Sequence, residues 1–393
     1  MHDENSRLIS LDALRGAIVA GMILVTDPGT YSAVYWPLLH ARWDGVTPTD
    51  MIFPAFLVIV GVATTLSFAS RLERGASQKR LMIHVLRRSG ILLLLGLLMN
   101  GFPDYDWHTI RIPGVLQRIA LCYLAGSLLY LIVSNIFDNK EGVQAVRRSS
   151  MIGAVLLAIL ALYWALLKLY PVPGFGPGRL DSLGNLGAYI DRSVFGVRHM
   201  WAWGLTPGYG VTFDPEGLLS TLPALATLLI GVLAGEWIRT SYSPRRKVAV
   251  LVFSGIGLAV AGLMLSRWLP LNKKIWTSTF AIFSAGVALL AFSLFHWILD
   301  VRHWRAWAAP TLVLGTNAIF AFVVSGIITT LTDRIPMTIG HAASVSLHQW
   351  AYQEVFATWL KPVHASLAYA IAIVILNIVI VYPLYSKRIF LRV

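Results

Sequence analysis

A chain of 393 residues that is 56% hydrophobic and only 13% charged is too poor in charge for a soluble protein of its size, which would carry roughly a quarter charged residues. The formal net charge of +13 would suggest nucleic acid in a soluble protein. In so apolar a chain a basic excess belongs to cytoplasmic loops, so a nucleic-acid partner is not expected. The single cysteine, Cys122, excludes an internal disulfide and a cysteine metal cluster.

Apolar runs long enough to span a bilayer recur from end to end, near 11–27, 51–70, 81–101, 113–134, 150–170, 216–238, 248–268, 276–299, 311–331 and 365–385. Asp12 and Arg15 precede most of the first run and no small-residue cleavage site follows it, so that run reads as an uncleaved anchor. In the third, Arg87 and Arg88 shorten the apolar stretch to Ile91–Met99, which suits a tilted or shielded helix. Cys122 falls inside the fourth run, as a small buried residue would. No linker divides the chain, so it reads as one transmembrane domain over 1–393: an all-α, polytopic helix bundle in contact with the lipid bilayer.

The connecting loops alternate in charge. One set carries Arg71, Arg74, Lys79, Arg80, Arg87 and Arg88, then Lys140, Arg147 and Arg148, then Arg239, Arg245, Arg246 and Lys247, then Arg302 and Arg305. With Arg7, Arg15 and the tail residues Lys387, Arg388 and Arg392, this set holds 20 of the 32 Lys and Arg. Positive charge stays on the cytoplasmic side, so both termini are expected there. The opposite loops, 28–50, 171–215 and 332–364, are long and rich in Pro, Gly and Trp. They show little obvious helix, apart from an amphipathic stretch at His348–Trp359. Trp201, Trp203 and Trp350 suit an interfacial aromatic belt.

Several polar residues have both a structural and a chemical reading. His40, the one histidine of the first long loop, is a loop residue or a nucleophile or general base. Thr47, Pro48 and Asp50 form a helix-capping arrangement, and Asp50 can equally act in catalysis. Asp12 and Arg15 lie three apart on one helical face and either pair or leave Arg15 to bind a phosphate. Gln117 and Arg118 sit one turn inside the fourth span, where an ionisable side chain snorkels or faces a polar cavity. Asp214, Pro215 and Glu216 read as the cap of the sixth span. Asn317 reads as an interhelical hydrogen bond in the ninth. No zinc spacing or phosphate-binding glycine loop is present, and no metal is expected.

Six segments, in order along the chain, resemble the heparan-α-glucosaminide N-acetyltransferase family. They are Leu11-Asp12-Ala13-Leu14-Arg15-Gly16, His40-Ala41-Arg42-Trp43-Asp44-Gly45, Asp50-Met51-Ile52-Phe53-Pro54, Arg111-Ile112-Pro113-Gly114-Val115-Leu116-Gln117-Arg118, Phe213-Asp214-Pro215-Glu216-Gly217 and Leu271-Asn272-Lys273-Lys274-Ile275-Trp276. The resemblance is to the short bacterial members, associated with N-acetylglucosamine use, and covers nearly the whole chain. It implies a transmembrane acyltransferase that takes acetyl-CoA from the cytosol and acetylates the amine of a terminal glucosamine on the far side. The family's active-site histidine matches His40. Where the family commonly has an asparagine after the first span, this chain has Thr26 followed by Asp27.

The residue reading and the resemblance together assign His40 and Asp50 to catalysis, with Asp50 orienting the imidazole. Arg15, Gln117 and Arg118 are expected to bind the acetyl-CoA co-substrate. Thr26, Asp27, Asp214, Glu216, Asn272 and Trp276 are expected to form the pocket of the amino-sugar acceptor, with Trp276 as a stacking surface. A second copy of the chain is kept open as a partner. The alternative reading is an amino-sugar transporter that uses the same polar groups without acyl transfer.

Overall fold

The computed structural model describes residues 8–137, 142–339 and 343–391. Arg7, Lys140 and Arg392 of the basic set lie outside the described residues. The protein is 70% helical. Nine described helices are long and apolar enough to cross a bilayer, and a bent helix pair passes the same test when taken together.

In chain order these are α1 (Ile9–Thr26), α2 (Ile52–Glu73), α3 (Gln78–Gly101), α4 (Val115–Ile136) and α5 (Val143–Leu169), the short α6 (Leu186–Phe195), then α7 (Thr221–Arg239), α8 (Pro244–Leu265) and α9 (Ser278–His296). The bent pair α10 (Ala309–Thr316) and α11 (Ala318–Arg334), the single turn α12 (Leu347–Trp350) and α13 (Pro362–Ser386) complete the set. Two small antiparallel hairpins, β1–β2 (Leu205–Thr206, Gly210–Val211) and β3–β4 (Pro336–Ile339, Ala343–Ser346), decorate the loops.

Packing divides the described residues into two compact units. One comprises the chain up to Ala41, Thr47–Phe53 and everything from Leu294 onward. The other comprises Arg42–Val46 and Pro54–Ser293.

In the first unit α1 lies against α10. A Cβ on Gly16 would fall 1.7 Å from the Thr311 carbonyl oxygen, and one on Gly315 1.8 Å from that of Asp12, so only glycine lets these backbones touch. Such small-residue contacts drive helix association where lipid offers no hydrophobic gain. The break between α10 and α11 bends the ninth span by 76°. The sequence reading had taken this span as continuous over 311–331. Asn317 stands at the break, its amide donating to the Ile389 carbonyl at 3.1 Å and accepting from the Leu391 amide at 2.8 Å. Its partners are thus the backbone of the C-terminal tail rather than a neighbouring helix.

In the second unit the same device joins α2 to α7: a Cβ on Gly61 would meet the Leu228 carbonyl oxygen at 2.1 Å, and one on Gly231 that of Val58 at 2.1 Å. Between α5 and α7 lies a buried ion pair. Arg148 donates to Glu236 through Nε at 2.9 Å and through Nη2, while the Tyr130 hydroxyl of α4 donates to Glu236 at 2.8 Å. Arg148, read from sequence as a loop cation, is therefore part of the interior.

Three loop expectations are corrected. The sixth span starts at Thr221 rather than 216, with Ser220 at its N-cap position. Residues 171–215 contain α6, whose N-cap Asn185 accepts from the Ala188 amide at 2.8 Å. The amphipathic stretch at 348–359 is helical only in part, as α12 followed by a π-helical turn over Ala351–Phe356.

Candidate active site

In the first unit the α1–α2 loop brings His40 and Asp50 together. Pro48–Met51 forms a 3₁₀ turn that leads into α2, with Thr47 and Asp50 making a reciprocal capping box. Asp50 Oδ2 accepts the Thr47 amide at 2.9 Å and the Ala41 amide at 3.2 Å. Asp50 Oδ1 lies 2.6 Å from His40 Nδ1. Asp50 thus both caps the turn and orients the histidine, one oxygen serving each task. Beside an ionised Asp50, which only accepts, a neutral His40 ring places its proton on Nδ1 and its lone pair on Nε2. Asp50 is 1% exposed, whereas the His40 side chain is 49% exposed. The arrangement is a buried carboxylate holding an accessible imidazole in one tautomer, the pairing that nucleophilic and general-base catalysis uses.

The other first-unit candidates are engaged by the protein itself. Arg15 Nη1 lies 3.1 Å from Asp12 and 3.4 Å from the Gly315 carbonyl oxygen. Thr26 donates its hydroxyl to Met22 O one turn back, at 2.8 Å. Asp27 is buried and accepts the hydroxyls of Thr329, at 2.5 Å, and Ser325, at 3.3 Å. Burial raises the Asp27 carboxyl above its ordinary value, and the two hydroxyls only partly offset that rise.

In the second unit the site is organised by a residue the sequence reading left out of its candidates. Arg111 makes a fork to Asp214, Nε to Oδ2 at 2.9 Å and Nη2 to Oδ1 at 2.5 Å, and Nη2 reaches Glu216 Oε2 at 2.6 Å. Burial acts to lower the Arg111 guanidinium, but its two carboxylates outweigh that and hold it above its ordinary value. Burial likewise acts to raise Glu216, and the nearby Arg111 charge brings it below the usual carboxylate range. Asp214 also accepts the Trp201 amide at 2.8 Å and the Glu216 amide at 2.9 Å. Asp214 and Glu216 therefore do not cap the sixth span, which begins later. They counter the charge of Arg111, whose place beside Pro113 in the same motif was the available signal.

Arg118 does not snorkel. It is 1% exposed, donates through Nη2 to the Gly217 carbonyl at 3.1 Å and to Ser220, and lies 5.1 Å from the Trp276 ring centroid. Its Nε and Nη1, and Nε2 of Gln117, are buried with no hydrogen-bond partner among the described residues. Those three donors in one short stretch of α4 are what an acyl oxygen could accept.

Asn272 and Trp276 are both 0% exposed. Asn272 accepts the Ile275 amide at 3.0 Å and donates to Asp44 at 3.1 Å, closing a tight turn in which Trp276 takes φ +48°. Trp276 donates Nε1 to Thr227 at 3.2 Å and faces the Arg118 guanidinium. It presents no open stacking surface, which corrects that expectation; the pair shapes the turn and shields Arg118.

Asp191 of α6 gave no sequence signal. It is buried and accepts the Leu218 amide at 2.8 Å, and Gly217 leaves it room, since a Cβ there would fall 1.9 Å from Asp191 Oδ2. Burial pushes this carboxyl up to about 7. It stands beside the Gly217–Ser220 segment that receives Arg118.

Among the described residues no group of three or more His, Cys, Asp or Glu side chains could hold a metal ion. No protein-family model matches the chain. Among curated proteins it is similar to the heparan-alpha-glucosaminide N-acetyltransferase of Homo sapiens, 30% identical over 353 residues, 81% of this chain and 52% of the relative. The mouse protein of the same name, from Mus musculus, is 26% identical over 428 aligned positions, 99% of this chain and 61% of the relative. The chain thus spans between about half and three-fifths of the length of the curated relatives it matches.

Proposed function

The chain is homologous to the heparan-alpha-glucosaminide N-acetyltransferases over most of its length, and on that footing we propose that it is a transmembrane N-acetyltransferase. It takes an acetyl group from cytosolic acetyl-CoA and delivers it to the amine of a glucosamine-type sugar on the opposite side of a bacterial inner membrane. The observation that carries this reading is the His40–Asp50 pair, 2.6 Å apart, within a segment that resembles the family's active-site motif.

His40 Nε2 attacks the thioester carbonyl carbon, the C–S bond breaks, and CoA leaves as its thiolate. Asp50 accepts the Nδ1 hydrogen bond throughout and stabilises the imidazolium that forms. The sugar amine then attacks the acetyl carbon, the C–N bond to Nε2 breaks, and the freed Nε2 takes the amine's proton, which the imidazolium then gives up to water. In the direct route His40 instead removes that proton as the amine attacks the thioester. We assign Gln117 and Arg118 to the acyl donor, because their unpartnered buried donors are suited to bind its oxygen atoms. Asp214 and Glu216, with Arg111, are assigned to the sugar, as are Thr26 and Asp27 at the end of α1. Both termini lie in the cytoplasm, following the basic loops.

Transfer of radiolabelled acetyl from acetyl-CoA to glucosamine by purified protein tests the assignment. His40→Ala is expected to abolish transfer, and undiminished transfer would refute the histidine role. Label trapped on wild-type protein without acceptor, and lost in His40→Ala, selects the two-step route; its absence in an active protein selects the direct one.

A further inference from the structure

Arg87 and Arg88 interrupt the third span, and the fold treats them differently. Arg87 is exposed, whereas Arg88 is half-buried beside the α3 stripe of Leu81, Val85, Ser89, Leu92 and Gly96 that is buried in the unit. Its guanidinium carbon lies 4.5 Å from the Tyr123 ring centroid on α4. Among the described residues no carboxylate pairs with Arg88, which stands ten residues into α3 and three before the apolar stretch Ile91–Met99. A half-buried guanidinium with no counter-charge is costly and is a candidate for an anionic ligand.

Its surroundings repeat the pattern. Arg88 Nε, Ser89 Oγ, Tyr123 Oη and Ser127 Oγ are all buried with no hydrogen-bond partner among the described residues. Ser89, Tyr123 and Ser127 are each no more than 1% exposed. Tyr123 and Ser127 lie one turn apart on α4, and the room Gly96 leaves for Gln117 sets an antiparallel register that brings Ser89 level with them. Every one of these atoms can donate a hydrogen bond, and none belongs to an acid. An anion with several acceptor oxygens would satisfy all four at once. A phosphate has that character, and the arginine fork with surrounding hydroxyls is its usual partner.

We propose that Arg88, Ser89, Tyr123 and Ser127 form a phosphate site between α3 and α4. On the acetyl-transfer reading above, the phosphate is that of the CoA donor; a phospholipid headgroup supplies the same chemistry. This site differs from Arg15, whose guanidinium already has Asp12 beside it.

The test measures binding of labelled CoA, and of pantetheine, which lacks phosphate, to the full-length protein in nanodiscs. Arg88→Gln should weaken CoA binding at least tenfold and leave pantetheine unchanged, with Arg88→Lys recovering part of the loss. In parallel, phosphatidylglycerol is added to delipidated protein and its effect on melting temperature recorded. Loss of CoA affinity in Arg88→Gln identifies the donor as the source of the phosphate. Loss of the lipid effect alone, with CoA affinity intact, identifies a headgroup. If both are unchanged, the site is refuted. Wild-type protein without CoA affinity would instead refute the acetyl-transfer reading. Should Arg88→Gln aggregate, Tyr123→Phe with Ser127→Ala keeps the arginine, removes two donors and is read in the same way.

Discussion

Asp50 divides its two oxygens between backbone and imidazole, and this explains why its role was ambiguous in the sequence. Thr47, Pro48 and Asp50 spell a helix cap, and the cap is present. What the linear pattern could not show is that capping one oxygen fixes the other 2.6 Å from His40. Asp50→Asn keeps the side chain's shape but loses the acceptor that sets the tautomer. It is expected to lower the rate of transfer by about 10²–10⁴-fold, the span of general-base effects, with acetyl-CoA KM nearly unchanged. An unaltered rate would reduce Asp50 to a cap. Asp191 was illegible for the opposite reason: a single aspartate on a short amphipathic helix has no motif, and only the fold brings it to Gly217. Burial pushes its carboxyl up to about 7, so the folded chain retains a proton that the unfolded chain releases above about pH 4. Stability from this group therefore falls as pH rises from about 4 to about 7, and is level beyond. Asp27, also raised by burial, acts in the same direction. Melting temperature should drop across that window, and Asp191→Asn should flatten the drop; superimposable profiles would contradict it.

Among the elements, the apolar runs located every span to within several residues, because some 20 consecutive apolar residues have few alternatives to a membrane helix. Interruptions were less visible. The ninth span bends by 76° at Asn317 with no proline there, since the cause is a tertiary one: the Asn317 side chain binds the tail backbone at Ile389 and Leu391. Charge also misled at one place. Arg148 belongs by composition to a basic loop, yet it sits within α5 and pairs with Glu236 of α7. Glu236→Gln takes the carboxylate from a buried guanidinium, a change that typically costs about 3–5 kcal/mol. A clear fall in melting temperature is expected, and one within a degree of wild type would show the pair to be dispensable. The α6 helix and the two hairpins escaped notice because each is short and lies in a Gly- and Pro-rich loop, where periodicity has too few residues to register.

At the scale of the whole molecule the charge alternation between loops is the basis for orientation, and it makes a direct prediction. Cys122 is buried, so cysteines introduced elsewhere can be labelled over a low background. Cysteine at Trp107 or Trp203 should react with an impermeant reagent in intact cells. Cysteine at Arg246 should react only after the membrane is opened, and the reverse pattern would invert the topology. That sidedness is what the proposed reaction requires, since donor and acceptor are held on opposite faces. The decisive measurement is therefore vectorial transfer in sealed proteoliposomes of uniform orientation, with labelled acetyl-CoA on the face of the basic loops and glucosamine only on the other. The account predicts labelled N-acetylglucosamine on the acceptor side, dependent on His40. Product formed only when both substrates share one side, or N-acetylglucosamine uptake that needs no acetyl-CoA, would contradict it.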